Sequence, residues 1–487
     1  MFRNLIFASL SLLLLVLCAA RPAFPQSPPQ TRAWLEDFAQ LKHEMAAHYA
    51  NLDWAVTERR MDLKQLCERT EARLRQAGND TEARRAIESF LNAFGDGHLA
   101  VRWPPKDKPA TQAVDPKSAA PQASLCARLG FREQKVAPGI AFSGLGVFEQ
   151  VDNADSRYFP IGILLLADGK KIGLLRISLF SEYRFPDLCE KAASELGLHK
   201  ESACDDACAD RVERKAADLL TTALERQLSV LRSRVIDVLL VDITGNGGGT
   251  NWVEPAARTL TAKPLRSPRL GFIKHPHWAK QFSERHADIE ADSRKAAPAQ
   301  RHLLAQAAET YQRALSEAKQ PVTRDSIWEN QAAPALVAKE PPLYASGVLP
   351  YLKPGELADL PGSPHLFYPS RYRYHEGVYS GPLLVLVDRN TASSAEYFAA
   401  MLADNGAAVV VGSPTVGAGS GYTNGGIRTV LKNSGAQVKM PDCVRFRADG
   451  TNEVAGITPA VLVPWRDNDS AYQRAKRVAD VLPRFGR

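Results

Sequence analysis

Beyond its first twenty residues the 487-residue chain has no apolar run approaching the roughly 20 residues that a bilayer-spanning helix needs, so no stable membrane insertion is predicted. Charge of one sign is not concentrated either. The 61 Lys and Arg against 54 Asp and Glu leave a net +7 spread along the sequence, which argues for solubility and loose attraction to acidic surfaces and against a nucleic-acid partner. No internal repeat occurs, which removes solenoids. Metal-ligand spacing is also missing: no histidine pair stands near Cys204 and Cys208, and His275 and His277 are only two ligands in a basic, aromatic loop. No metal or organic cofactor is predicted. With 45% hydrophobic and 24% charged residues, the composition is that of an ordinary globular protein and excludes general disorder.

Residues Met1 to Ala20 carry an early arginine, an unbroken apolar run from Leu12 to Leu17, and Ala19 and Ala20 before Arg21, the pattern of a secretory signal cleaved near Ala20. The rival reading, a lipid anchor on Cys18, is disfavoured by Leu17, because lipidation wants a small residue just before its cysteine. An exported chain, periplasmic or secreted, is expected. Six cysteines remain, Cys67, Cys126, Cys189, Cys204, Cys208 and Cys443, an even number compatible with disulfides. Their pairing stays open: a local Cys204–Cys208 bridge and bridges to Cys189 and elsewhere are alternatives.

Along the chain, a signal (1–20) and a Pro/Ser linker (21–33) precede a helical domain (34–100), where apolar residues recur at helical spacing. Residues 101–170 read as a β-rich segment, with an exposed loop from Pro104 to Ala123 and strands over Gly139–Phe148 and Ile161–Leu166. A core follows in two parts, 171–252 and 376–470, separated by a partly helical insertion (253–375), with a helix or tail over 471–487. Within the insertion, Glu284 to Ala318 is charged and helical in pattern and is expected on the surface. Pro341 to Arg373 reads as irregular.

The most informative stretch is Asp388–Gly412. The apolar runs Pro382–Val387 and Ala407–Val411 have the character of strands buried on both faces. Between them Tyr397, Phe398, Met401 and Leu402 fall at helical spacing, with Thr391, Ser393 and Ser394 as caps and Asn405-Gly406 as the stop. A parallel strand-helix-strand unit results, with two serines at its mouth. Upstream, the strand ending at Asp242 exits into Gly245-Asn-Gly-Gly-Gly249, where backbone amides can approach a ligand.

Two further stretches hold unusual choices, Gly95-Asp-Gly-His98 and Asn452–Pro459. A serine hydroxyl is a poor nucleophile at neutral pH. It needs a base, a group that orients the base, and amides aimed at the developing oxyanion, and the four stretches can supply one part each. Taken singly, each has a bland explanation: His98 and the serines as helix caps, the glycines as a tight turn, Glu453 as a solvated carboxylate, so the case rests on joint occurrence.

Taken together, FGDGHL, LLVDITGNGGG, LVDRNTASSAEYFAAMLADNGAAVVVG and NEVAGITPAVLV resemble, in order and chemistry, the serine peptidases that include the C-terminal processing proteases and the tricorn core. The resemblance implies an α/β fold, a superhelical core of the ClpP/crotonase kind with an N-terminal helical domain, acting on peptide or protein substrates. The serine-lysine version of the family carries a lysine in the turn that here reads Thr415-Val-Gly-Ala418-Gly, so that dyad is not expected. The tricorn-like version implies Ser393 as nucleophile, His98 as base and then acid, and Glu453 holding the imidazole, with oxyanion donors from Ser394 and from Gly247 or Gly248. Gly97 stands where the tricorn pattern has a supporting serine. Glu396 reads as a helix-start residue helped by the macrodipole. The interval from Val101 to Lys171 is short for a PDZ domain, and His375 has no family counterpart. The alternatives are a binding protein that has lost turnover, for peptides or lipids, and a serine esterase.

Overall fold

In the computed structural model, residues 29–105, 123–320, 322–331, 333–357, 360, 362–466 and 468–485 are described. The expected signal, Cys18 and nearly all of the expected loop Pro104–Ala123 lie outside them. A central sheet of seven strands runs in the order Val461–Leu462, Val409–Gly412, Leu383–Val387, Val238–Asp242, Lys171–Arg176, Ile161–Leu165, Phe148–Val151. The first five are mutually parallel, and the last two add antiparallel at one edge. Parallel strands need both faces covered, which explains their unbroken Val/Leu runs. Leu239, Val241, Val385 and Val387 point to one face, against the helices Asp206–Ser233, Val253–Thr259 and Ser394–Asp404. Val238, Leu240, Leu384 and Leu386 point to the other, against the helix Ala471–Val481.

Two smaller sheets flank this core. Arg269–Ile273 pairs with Val337–Tyr344 and with Cys443–Phe446, and the helices Pro276–Lys295 and Pro298–Ala318 bury Trp278, Phe282, Ile289, Leu304 and Tyr311 around it. The charged stretch from Glu284 to Ala318 is thus more than surface decoration, since its apolar stripe closes a core of its own. The third sheet joins Ala100–Arg102, just after His98, to Gln437–Lys439 and Thr429–Val430. Leu431, Val438 and Met440 enter the core of the N-terminal helices beside Phe38, Phe90 and Phe94. This interlock carries the end of the helical region to the mouth of the central sheet.

Three local expectations differ from the structure. Gly139–Phe148 is mostly not a strand: a 3-10 turn occupies Phe142–Gly144 and the strand begins only at Phe148. Gly139 lies so close to Asp242 and Arg176 that a Cβ there would sit 2.4 Å from the Asp242 carboxylate, and the Ile140 amide donates to that carboxylate at 3.0 Å, a side-chain bond in place of a strand ladder. The first helix starts at Pro29, inside the stretch read as linker. The segment read as irregular from Pro341 opens as part of the strand Val337–Tyr344. The cysteines pair as Cys126–Cys189 and Cys204–Cys208, leaving Cys67 and Cys443 as buried thiols.

Candidate active site

Ser393 stands at a sharp bend between the strand Leu383–Val387 and the helix Ser394–Asp404, with φ +58° and ψ −123°. A serine held at positive φ is strained, and such strain persists only where the surroundings fix it. The fixing is visible. Asp388 Oδ1 accepts from the Gly245 amide at 2.8 Å, the Ala392 amide donates to the Asn246 carbonyl at 3.0 Å, and Thr391 Oγ1 donates to the Ile243 carbonyl at 3.2 Å. These bonds tie the serine loop to the glycine turn after the neighbouring parallel strand. Gly248 then packs against Ser393: a Cβ on it would lie 2.8 Å from both Ser393 Cβ and the Ser394 amide nitrogen. Only glycine fits there.

Of the expected oxyanion donors, the Gly248 amide is taken by Asn246 Oδ1 at 2.8 Å. Ser394 begins the helix that follows Ser393, where the first amides lack intrahelical acceptors. Gly247 has open space above its Cα.

The His98 loop follows the helix Asp80–Asn92, through Gly95 at φ +63°. Asp96, buried, accepts from the His98 amide at 2.9 Å, Asn51 Nδ2 at 2.7 Å and the Tyr49 hydroxyl at 3.1 Å. The ring of His98 turns Nδ1 to the carbonyl of Ser420, and the Tyr422 hydroxyl donates to the His98 carbonyl. A carbonyl can only accept, so Nδ1 carries the hydrogen and Nε2 is left with its lone pair. Burial lowers the pKa of His98 from the ordinary histidine value, and the Asp96 carboxylate acts in the opposite sense. Ser393 and His98 are not hydrogen-bonded to each other here, and catalytic pairs often close only around substrate.

Glu396 connects the two halves. Fully buried, it accepts from the Ser393 and Ala418 amides through Oε2, at 3.0 and 2.8 Å, and from the Gly417 amide and the Thr415 hydroxyl through Oε1, at 2.8 and 2.5 Å. The Gly417 carbonyl in turn accepts from the Gly97 amide at 3.0 Å. One carboxylate thereby ties the Ser393 bend to the turn on which the histidine loop rests. A Cβ on Gly97 would lie 2.9 Å from the Ala418 Cβ, so the positions of the missing lysine and the missing serine are packed on one another.

Glu453 is buried in the same region, on the short turn Glu453–Ala455, but the structure does not join its carboxylate to His98. Oε2 meets Arg445 Nε at 2.9 Å and Oε1 meets Arg445 Nη2 at 3.4 Å. Burial raises the Glu453 pKa, opposed by Arg445. Its side chain lies against Gly419, where a Cβ would come within 2.6 Å of it, one residue before the carbonyl that holds the imidazole. The other histidines are occupied elsewhere. His375 Nδ1 meets Glu225 at 3.0 Å on the surface, His275 caps the His277 amide, and His277 Nε2 meets the Thr423 carbonyl at 2.8 Å.

This sheet, with a strained serine at a helix start facing a glycine turn, defines a hydrolase of the ClpP-like kind. The profile of Peptidase family S41 matches residues 171–463, more than half of the chain, and the chain belongs to that family. It is a serine-type peptidase. Among solved structures, mature CPAF complexed with lactacystin superposes with a TM-score of 0.56 at 15% identity, covering 93% of this chain and 97% of that one. Mature CPAF in a separate crystal structure gives 0.56 at 16% identity, over 93% and 96%. These likenesses are of fold. Among the described residues no helix is long and apolar enough to cross a membrane.

Sequence reasoning did not find Asp96, Asn51, Ser420 or Arg445. Asp96 had a signal, a carboxylate two residues before the candidate base in a glycine turn. Ser420 acts through its carbonyl and leaves none.

Proposed function

We propose that this is an exported serine peptidase that cleaves peptide bonds through an acyl-enzyme on Ser393, with His98 as base and then acid. Ser393 Oγ attacks the scissile carbonyl while His98 Nε2 takes its proton, and the other hydrogen stays on Nδ1, donated to the Ser420 carbonyl. The tetrahedral oxyanion is met by the Ser394 amide and by the Gly247 amide, because Gly248 spends its own on Asn246. His98 then gives the proton to the leaving amine, and a water, activated by the same Nε2, releases the acyl group. Glu453 is assigned a positioning role: paired with Arg445 and packed on Gly419, it supports the backbone that orients the imidazole. Export accords with the two disulfides, which persist in oxidising compartments.

The single observation that carries the reading is the Glu396 junction, which holds the strained Ser393 amide and the seat of the His98 loop in one hydrogen-bonded unit. The test is turnover of a denatured protein substrate. Ser393→Ala and His98→Ala should each lower kcat by several powers of ten with unchanged circular dichroism, as for residues that act as a unit. Turnover by a folded Ser393→Ala protein at the wild-type rate refutes the proposal.

A further inference from the structure

The nucleophile helix, the segment Gly421–Asn424 and the helix Pro276–Lys295 border a cleft of about 750 Å³. Its lining runs from Ser394, beside the nucleophile, past Tyr422 and Arg445 to Gln281 and Arg285. Two groups on this far wall are incompletely partnered within the folded chain: the Gln281 amide nitrogen has no acceptor and the Arg285 cation has no counter-ion among the described residues. Gln281 is only 3% exposed, and its Nε2 is buried without a hydrogen-bond partner. Its orientation is set, because Oε1 accepts from Asn424 Nδ2 at 3.2 Å and Arg285 Nη2 at 3.4 Å, and turning the amide round would point donors at donors. Arg285 makes no ion pair with any described residue. Its guanidinium lies over Trp278 and Phe282, 5.8 and 6.0 Å from the ring centroids.

The other charges facing the cleft have partners, although that of Asp288 is a histidine, which carries charge only when protonated. Arg371 meets Asp210 at 2.6 Å, Arg445 meets Glu453 at 2.9 Å, Glu254 meets Arg258 at 2.9 Å and Asp288 meets His365 at 2.9 Å. Arg214 pairs with Asp210 at 3.0 Å and Glu284 with Lys280 at 3.9 Å. Apart from the Asp288–His365 pair, what remains is one cation with no ion-pair partner among the described residues, Arg285, beside one unmet buried donor, Gln281 Nε2. A neutral carbonyl satisfies the donor alone; a carboxylate satisfies both, through a charge-assisted bond and a fork of guanidinium hydrogens.

We propose that Gln281 and Arg285 form a carboxylate-recognising subsite, so that preferred substrates present an aspartate or glutamate side chain, or their own terminal carboxylate, to this wall. The inference rests on the reading of Ser393 as nucleophile, which makes this the cleft a peptide enters. Tyr344, half-buried on the cleft wall, gives an apolar flanking residue a surface to lie on.

The test begins with a peptide library digested by the purified protein to find the enriched positions. Matched peptides differing only as Glu against Gln, and as free against amidated C-terminus, then give ratios of kcat/KM. The wild type should favour the carboxylate member of one pair by about tenfold or more, the size expected of a hydrogen bond to a charged group. Which pair responds tells side chain from chain end. Arg285→Glu should abolish that ratio or invert it in favour of the neutral member, and Gln281→Glu should reduce it. Equal rates within both pairs, or a preference that survives both substitutions, overturn the proposal. Should the wild type cut neither member, affinities of the same peptides for Ser393→Ala protein decide it, a ratio of one being the negative result. A carboxylate preference that persists while Ser393 proves dispensable would keep the subsite and remove the nucleophile assignment.

Discussion

Replacing Glu396 by glutamine changes one oxygen to an amide nitrogen and almost nothing in volume, yet it should damage both stability and catalysis. The two carboxylate oxygens accept four hydrogen bonds, two on each. If the new NH2 takes the Oε2 place, the Ser393 and Ala418 amides both lose their acceptor. If it takes the Oε1 place, the Gly417 amide loses its own, and the Thr415 hydroxyl, already accepting from the Ile457 amide at 2.7 Å, must send its hydrogen elsewhere. The second arrangement is the less damaging. It still leaves one buried amide unmet, about 1–3 kcal/mol, and weakens the remaining bonds by removing the charge that assisted them. A loss of about 2–4 kcal/mol is expected, a large share of the roughly 5–15 kcal/mol that holds a typical domain together. Urea unfolding gives the stability change, and the rate of covalent labelling by a serine-directed fluorophosphonate gives the chemistry. Because the same carboxylate positions Ser393 and the turn under His98, both should fall together. A Glu396→Gln protein with wild-type stability and labelling rate would refute the idea that this junction organises the site.

Lysine at position 418, where the serine-lysine version of the family has its base, should not rescue a His98→Ala protein. Ala418 is buried against Gly97, so Ala418→Lys should instead lower the melting temperature by several degrees, read by calorimetry. The base works unprotonated, so kcat/KM rises with pH through the His98 pKa. Burial draws that pKa below 6.5, and the acid limb of the profile should therefore lie below 6.5; a limb well above it would contradict the assignment. Removing the Cys126–Cys189 bridge, which spans 63 residues, should cost about 4 kcal/mol by loop entropy, seen as a lowered urea midpoint under reductant or in a Cys126→Ser/Cys189→Ser protein.

The strand-helix-strand unit around Ser393 was legible because each element carries its own signal: two Val/Leu runs, a helical stripe and an Asn-Gly stop, all local in sequence. The small helical region was equally plain from Trp34 to Phe94. What could not be read were contacts between distant segments. Glu396 looked like a helix-start residue, and so it is, since it accepts from the Ser393 amide three positions back. Nothing local says that the turn Thr415–Gly419 will land on the same carboxylate. Gly139–Phe148 carried a strand's composition, but the Ile140 amide bonds to the Asp242 side chain and Gly139 packs on Asp242 and Arg176, residues of two other strands distant in sequence. Arg445 and Gln281 lie in segments without pattern, and their roles depend on partners 8 and 143 residues away.

The most direct measurement treats the purified protein with a fluorophosphonate probe and maps the modified peptide by mass spectrometry, with Ser393→Ala and His98→Ala in parallel. The account predicts label on Ser393 in the wild type, none on that peptide in Ser393→Ala, and labelling slowed by several powers of ten in His98→Ala. Label on another residue, or a folded wild type that takes up none, would contradict it.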